Sequence, residues 1–281
     1  MLIVDSQVHI WAADTPERPW DKGDWTQAKI PVFGQPELEV QMKSAGIDRV
    51  VIVPPTCEGH RNDLALAAAQ KEPHRFAVMG RLDPMAAASR GKFQTWRNEP
   101  GMYGVRFNFG GKELDDFLKS GGMDWVWKEA EEANVPLYLF VSHALLPLID
   151  KVAERHPGLR IALDHLAVKS GKRDEEAFRD FDNVLAIAKR PNVSAKVSAM
   201  PCMTSDVYPY HKLHPYIRKA YDAFGPKRLF WGTDWSRMQH TSTCTYRQAV
   251  TMFTEEIPWL TAEDKEWMMG RGVCEWLGWK I

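Results

Sequence analysis

Eight short apolar runs, each followed by a stretch with helical spacing, limit how this chain can fold more than any other feature. The runs are LIVDSQV near the amino terminus, RVVIVPP (Arg49 to Pro55), FAVMGRL (Phe76 to Leu82), YGVRFNF (Tyr103 to Phe109), PLYLFVS (Pro136 to Ser142), RIALDHL (Arg160 to Leu166), VSAKVSA (Val193 to Ala199) and RLFWGTD (Arg228 to Asp234). Between them lie PELEVQMKSAG, DLALAAAQKEP, MDWVWKEAEEANV, LLPLIDKVAERHPG and LHPYIRKAYDAFGP, several of which stop at Gly or Pro as helices do. The last segment, TAEDKEWMMGRGVCEWLGW, opens with Thr261 and Asp264 in capping-box spacing and predicts a closing helix. Strand and helix in alternation predict a parallel sheet with crossover helices. Eight such units without a Ser-, Gly- or Pro-rich linker, a tandem repeat or a low-complexity tract predict an α/β protein built as a single (β/α)8 TIM barrel. That one domain spans residues 1–281, a length such barrels reach.

Where chemistry can sit follows from that architecture, because reactive groups in such barrels gather at the carboxyl ends of the strands. The first run offers Asp5, Gln7 and His9, which alternation places on one face. Later ends add Arg81, then Arg106 and Asn108, then Ser142 with His143, then Asp164 and His165, then Lys196 and Ser198, and last Asp234. An unpaired charge inside a barrel is costly, so this many ionisable groups in one place imply a task.

Composition excludes more than it assigns. Lys plus Arg number 36 against 37 for Asp plus Glu, a balance with no general pull toward nucleic acid or an anionic membrane. A small molecule is the expected partner, and self-association into a homo-oligomer is compatible with the sequence. Cys57, Cys202, Cys244 and Cys274 lack C-x-x-C spacing, so four reduced thiols are expected. The start MLIV is too short for a signal-peptide core, and no apolar run is long enough to span a bilayer. The cytoplasm is the expected compartment.

In order along the chain, VDSQVHIW, GVRFNF, LDHLAVKSG, NVSAKVSAM and RLFWGTDW resemble the strand motifs of the amidohydrolase-related metal-dependent hydrolases, in particular the lactonase-like branch with the 2-pyrone-4,6-dicarboxylate and sugar-lactone hydrolases. The resemblance covers essentially the whole chain. Its most specific pieces are the Asp-x-x-x-His start, the pair Asp164 and His165, and the segment ending in Asp234 and Trp235. It implies a hydrolase that opens a lactone with Asp234 as general base. The family pattern at the first strand is His-x-His, and Gln7 stands where the first His belongs.

An amide oxygen is a poorer ligand for zinc than imidazole, so the exchange weakens a metal site. His9, His165 and Asp234 remain as ligands if a metal is present, and two imidazoles with a carboxylate match the ligand count of a catalytic zinc site with an open position. The resemblance also implies metal-independent members in the lactonase branch, and the missing imidazole favours that reading. The cofactor expectation is none, or one divalent metal with zinc foremost.

Without a metal, Asp234 activates water, a contribution of about 10²–10⁴ in rate. His9 and His165 bond the substrate carbonyl or the attacking water. Arg106 binds a substrate carboxylate or the developing oxyanion, where one donor is worth about 10²–10³. Gln7 orients substrate or water, Lys196 supports as a buried charge paired with Asp164 or Asp234, and Arg61 and Arg237 favour a carboxylated lactone. Trp11 and Tyr138 are candidate substrate contacts, with Trp20, Trp25 and Trp235 as further pocket walls. Most other Trp residues lie on helical patterns and suit the core. Tyr208, Tyr210, His211 and His214 lie on a loop of the same face, where a solvated loop is the plainer role of each. Structural alternatives stand beside the functional ones: Asp5 as a turn cap, Arg106 in an ion pair, His165 as a satisfied core residue. Two other functions compete, a metal-dependent non-oxidative decarboxylase or hydratase of an aromatic or muconate-type acid, and a non-catalytic ligand-binding barrel.

Overall fold

The computed structural model describes residues 1–21, 30–168 and 171–281. Each of the eight runs contains a strand: β1 (Val4–Val8), β2 (Arg49–Ile52), β3 (Phe76–Gly80), β4 (Met102–Asn108), β5 (Leu137–Phe140), β6 (Ile161–Leu163), β7 (Val193–Ser198) and β8 (Leu229–Gly232). They lie side by side in chain order, neighbours parallel, as a (β/α)8 barrel. Most strands are shorter than the runs that predict them, because the last polar residues of a run turn out of the sheet to build the mouth.

Alternation sorts the side chains into two layers. Val50, Ile52, Phe76, Val78, Ala195 and Val197 pack outward with the helices. Val51, Val53, Ala77, Met79, Tyr138, Ala162 and Phe230 meet inside. The closing segment plugs the floor, where Val273, Cys274, Leu277 and Trp279 join the inner cluster. Its start is capped as the spacing predicts, with the Thr261 side chain accepting from the Asp264 backbone N–H. Among the described residues no helix is long and apolar enough to cross a membrane. All four cysteines are buried and free.

The seam between β8 and β1 departs from the simple pattern. Register shifts within β1 between Asp5 and Val8. Val4 therefore belongs to the inner cluster and Val8 to the outer one. Gln7 and His9 stay inward, but Asp5 turns to Thr233 and Tyr246, so the three polar residues do not share a face. The bulge is the physical reason. Asp5 accepts from the backbone N–H of Gln7 (3.0 Å) and of Thr233 (2.9 Å), from the Thr233 hydroxyl and from the Tyr246 hydroxyl (2.8 Å). The Asp234 N–H donates to the Gln7 carbonyl at 2.8 Å. These bonds tie the last strand to the first. Only glycine fits at position 232 in this arrangement, since a Cβ there would lie 2.6 Å from Ser6 Oγ.

Candidate active site

Three successive strands end alike: His165 (φ 53°), Ala199 (φ 54°) and Asp234 (φ 52°) adopt left-handed backbone without being glycine. Each such residue costs about 1–3 kcal/mol and turns the chain sharply out of the sheet. At Asp234 the turn also opens the helix Trp235–Thr241. His9 Nε2 lies 3.1 Å from Asp234 Oδ1, and His165 Nε2 lies 3.3 Å from Oδ2. All three residues are buried. Side chains 156 and 69 positions apart in sequence thus meet on one carboxylate.

The protons on this trio follow from its partners. Burial pushes the Asp234 carboxyl up, but the hydrogen bond to His9 and the charges of His165, His9 and Arg237 outweigh it and hold the group well below the usual carboxylate range. Burial drives His165 down to about 3, against the pull of Asp234 and Asp164, so its ring is neutral near pH 7. Its Nδ1 sits 2.7 Å from Ser198 Oγ, which can donate and leave Nε2–H for Asp234. His9 differs, because its Nδ1 lies 2.6 Å from the Val53 carbonyl, which only accepts. Nδ1 of His9 therefore carries a proton, and its Nε2 can donate to Asp234 only with a second one.

The donor types suit zinc, yet each imidazole faces its own oxygen of Asp234. Among the described residues no group of three or more His, Cys, Asp or Glu is disposed to hold a metal ion. The expected three-ligand arrangement of His9, His165 and Asp234 is not the one these side chains adopt. Nor does Gln7 add a ligand, since its Oε1 accepts from Lys196 Nζ. Its Nε2 is buried without a hydrogen-bond partner among the described residues, so the role expected for Gln7, orienting substrate or water, keeps its donor.

Below and beside the trio lies a cationic group. Lys196, fully buried, places Nζ 2.6 Å from Asp164 Oδ1 and 3.6 Å from the centre of the Tyr138 ring. Arg106 donates through Nε to Asp164 Oδ2 at 3.0 Å. Burial alone would raise Asp164, but Lys196, Arg106 and His165 hold it below the usual range. Burial lowers Lys196 to about 8 despite Asp164. The Arg106 guanidinium lies over Phe140, whose ring meets the His165 ring edge-on at 5.6 Å. Phe140 thus braces both halves of the site, and the alternation of Tyr138, Phe140 and Ser142 was the only sequence signal for it.

Other expected contacts sit elsewhere. Tyr138 lies under Lys196, stacked on Trp276 in the barrel floor, and is shut off from the mouth. Trp11 is core, its ring 5.3 Å from that of Phe33. Arg61 spends Nε on Glu58 (3.1 Å) and Nη2 on the Pro19 carbonyl (2.8 Å), which makes it a loop clamp. Arg237 is buried and acts on Asp234 and His165 through its charge. Trp235 stacks on Tyr246, and Trp20 donates to the Ala12 carbonyl; Trp25 lies outside the described residues. His143 is held by the Leu166 carbonyl. Tyr208 bonds Thr251 and Glu256, and His211 meets His214 ring to ring.

The chain and its fold have counterparts among known proteins. The family model described as Amidohydrolase matches residues 4–271. A curated L-fucono-1,5-lactonase of Burkholderia ambifaria is 27% identical over 237 residues, covering 83% of this chain and 79% of its own. The crystal structure of an amidohydrolase from Burkholderia multivorans with bound zinc superposes with a TM-score of 0.82 at 20% identity, over 99% of both chains. That of a probable 2-pyrone-4,6-dicarboxylic acid hydrolase from Acinetobacter baumannii with citric acid bound gives 0.79 at 19% identity, over 99% of this chain and 100% of the other.

Proposed function

This chain belongs to the amidohydrolase family, and from that premise we propose that it is an enzyme that opens a lactone by hydrolysis, with Asp234 as the base for the attacking water. The observation that carries the reading is the ionised Asp234 carboxylate held between His9 Nε2 and His165 Nε2. Relatives named as a lactonase and as a pyrone dicarboxylate hydrolase support a cyclic ester as the substrate.

Asp234 takes a proton as the water oxygen attacks the lactone carbonyl. The oxyanion that forms is met by Arg106, whose guanidinium is held at the mouth by Asp164 and Phe140. Collapse breaks the ring C–O bond, and the leaving alkoxide takes a proton from the His9–Asp234 pair. A hydroxy acid results, and its ionisation releases one proton to solvent. Zinc, bound in the Burkholderia multivorans relative, supplies Lewis-acid polarisation of a carbonyl wherever it is present. Among the described residues no group of three or more His, Cys, Asp or Glu is disposed to hold a metal ion, and the steps above use the chain's own groups.

Proton release from a panel of aldonolactones and aldaric acid lactones tests the reading. Asp234→Asn should lower kcat by about 10²–10⁴-fold while circular dichroism stays native. Carbon dioxide release in place of proton release, or an Asn variant with wild-type kcat, overturns it.

A further inference from the structure

The chain leaves β6 through a turn that L-amino acids rarely make. His165 (φ 53°), Leu166 (φ 51°) and Ala167 (φ 56°) are left-handed in succession, and none is glycine. Left-handed backbone brings Cβ too close to the following carbonyl oxygen, so residues other than glycine visit it singly. Three together persist only where their surroundings over-determine them. The Val168 N–H closes the turn on the His165 carbonyl at 3.0 Å, and Leu166 and Ala167 are fully buried. The Leu166 carbonyl takes its hydrogen bond from outside the turn, where His143 Nε2 lies 3.0 Å away. A carbonyl only accepts, so Nε2 of His143 carries the proton. Burial lowers the His143 pKa, which leaves its ring neutral near pH 7 with no second proton on Nδ1. His143 is held in turn: Asn183, on the helix Asp182–Ile187, donates to its backbone carbonyl at 3.3 Å, and the Phe181 ring meets its own edge-on at 6.2 Å.

We propose that His143 is a positioning residue for His165: its Nε2–H grips the Leu166 carbonyl and so fixes the left-handed turn that aims the His165 ring at Asp234. Ser198 and Phe140 touch the ring itself, whereas His143 acts on the backbone that carries it. The peptide between Leu166 and Ala167 is the middle of the turn, and His165 is its first residue. Without the grip the strained turn relaxes, and it carries His165 Nε2 away from Asp234 Oδ2, now 3.3 Å distant, and Nδ1 away from Ser198 Oγ, now at 2.7 Å. A misplacement of about 1 Å at a catalytic group can cost about 10²-fold in rate, so the turn is worth holding. The grip rests on the lactone reading only for the kinetic part of its test.

Nitrogen NMR spectra of the histidine rings, with the His165 signals identified by their loss in His165→Gln, read the turn without any substrate. In wild type His143 should be the Nε2–H tautomer, and a proton on its Nδ1 instead overturns the proposal outright. His165 should also hold a single tautomer, Nε2–H, with Ser198 on Nδ1. His143→Leu should mix the two His165 tautomers, a change that loss of a nearby ring does not by itself produce. The same variant should hydrolyse lactones with kcat lowered by about 10- to 100-fold and KM within about twofold. His143→Gln, whose amide nitrogen reaches the place of Nε2, should restore the single tautomer and most of kcat. Should His143→Leu not fold, His143→Asn replaces it, with an amide too short to reach the Leu166 carbonyl. An unchanged His165 tautomer in a folded variant, a wild-type kcat, or a Gln variant as impaired as the Leu variant overturns the grip and leaves the hydrolase reading intact. Mixed tautomers rescued by His143→Gln, with no lactone hydrolysed by wild type, support the grip and overturn the hydrolase reading.

Discussion

Replacing Asp5 asks whether the bonds across the β8–β1 seam act as the geometry says. Its carboxylate is fully buried and takes two backbone N–H groups on Oδ1 and two hydroxyls on Oδ2. Burial pushes its pKa from 3.8 to about 6, against the lowering effect of those four bonds. A carboxyl raised in the fold stabilises it below the unfolded pKa and loses that contribution as pH rises through the folded one. The loss totals about 3 kcal/mol at about 1.4 kcal/mol per pH unit, and roughly half of it falls between pH 5 and pH 8.

Asp5→Asn cannot titrate there. Its amide oxygen still serves the two backbone N–H groups, and its NH2 can donate to the hydroxyls of Thr233 and Tyr246, which reverse their roles. The variant should therefore gain roughly 1–2 kcal/mol on wild type between pH 5 and pH 8. Asp5→Ala strands two buried N–H groups at about 1–3 kcal/mol each at every pH. Urea denaturation followed by circular dichroism at both pH values gives the comparison. If the gap between Asp5→Asn and wild type is the same at the two, Asp5 does not titrate as a buried acid and the account of the seam is wrong.

Lys196→Met should destabilise the fold by about 3–5 kcal/mol in the same denaturation assay, because it leaves Asp164 buried with Arg106 alone and the Gln7 oxygen unmatched; a loss under about 1 kcal/mol would show the lysine is not needed there. Chelator-treated protein should keep its lactone hydrolysis, with proton release as the readout. Complete loss restored by zinc would refute water activation by Asp234 without a metal.

The barrel was legible because its signal is repeated eight times, and so were the strand ends that carry His9, His165 and Asp234. What stayed hidden is what depends on register. A single extra residue in β1 rotated Asp5 out of the set with Gln7 and His9, and nothing in DSQVH marks a bulge. Tyr138 alternates correctly into the barrel, yet sits one layer too deep to meet a substrate, because depth depends on the stagger of strands rather than on alternation. Arg61 looked like a mouth cation, but its partner Glu58 lies three residues back on the same loop and claims it. Asn62, which fixes Arg81, gives no sign in sequence that it bonds to the end of the next strand.

Position 7 shows how one such exchange fits its surroundings. The side chain there must accept a hydrogen bond from a fully buried ammonium, Lys196, which also contacts Asp164 and the Tyr138 face. An amide oxygen does so without any proton to lose or gain. An imidazole at that place would have to stay neutral and aim its lone pair at the ammonium, and a lone pair used on Lys196 is not available to a metal. Gln7 and Lys196 are thus one device: a fixed cation, matched by an amide, stands beside the paired imidazoles and Asp234. The site then divides into a proton-handling half on β1, β6 and β8 and a cationic half on β4 and β7, with the Asp164–His165 pair joining the two. In the proposed mechanism Arg106, held by Asp164 in the cationic half, is the group placed to meet the charge that attack on an ester carbonyl beside Asp234 would create.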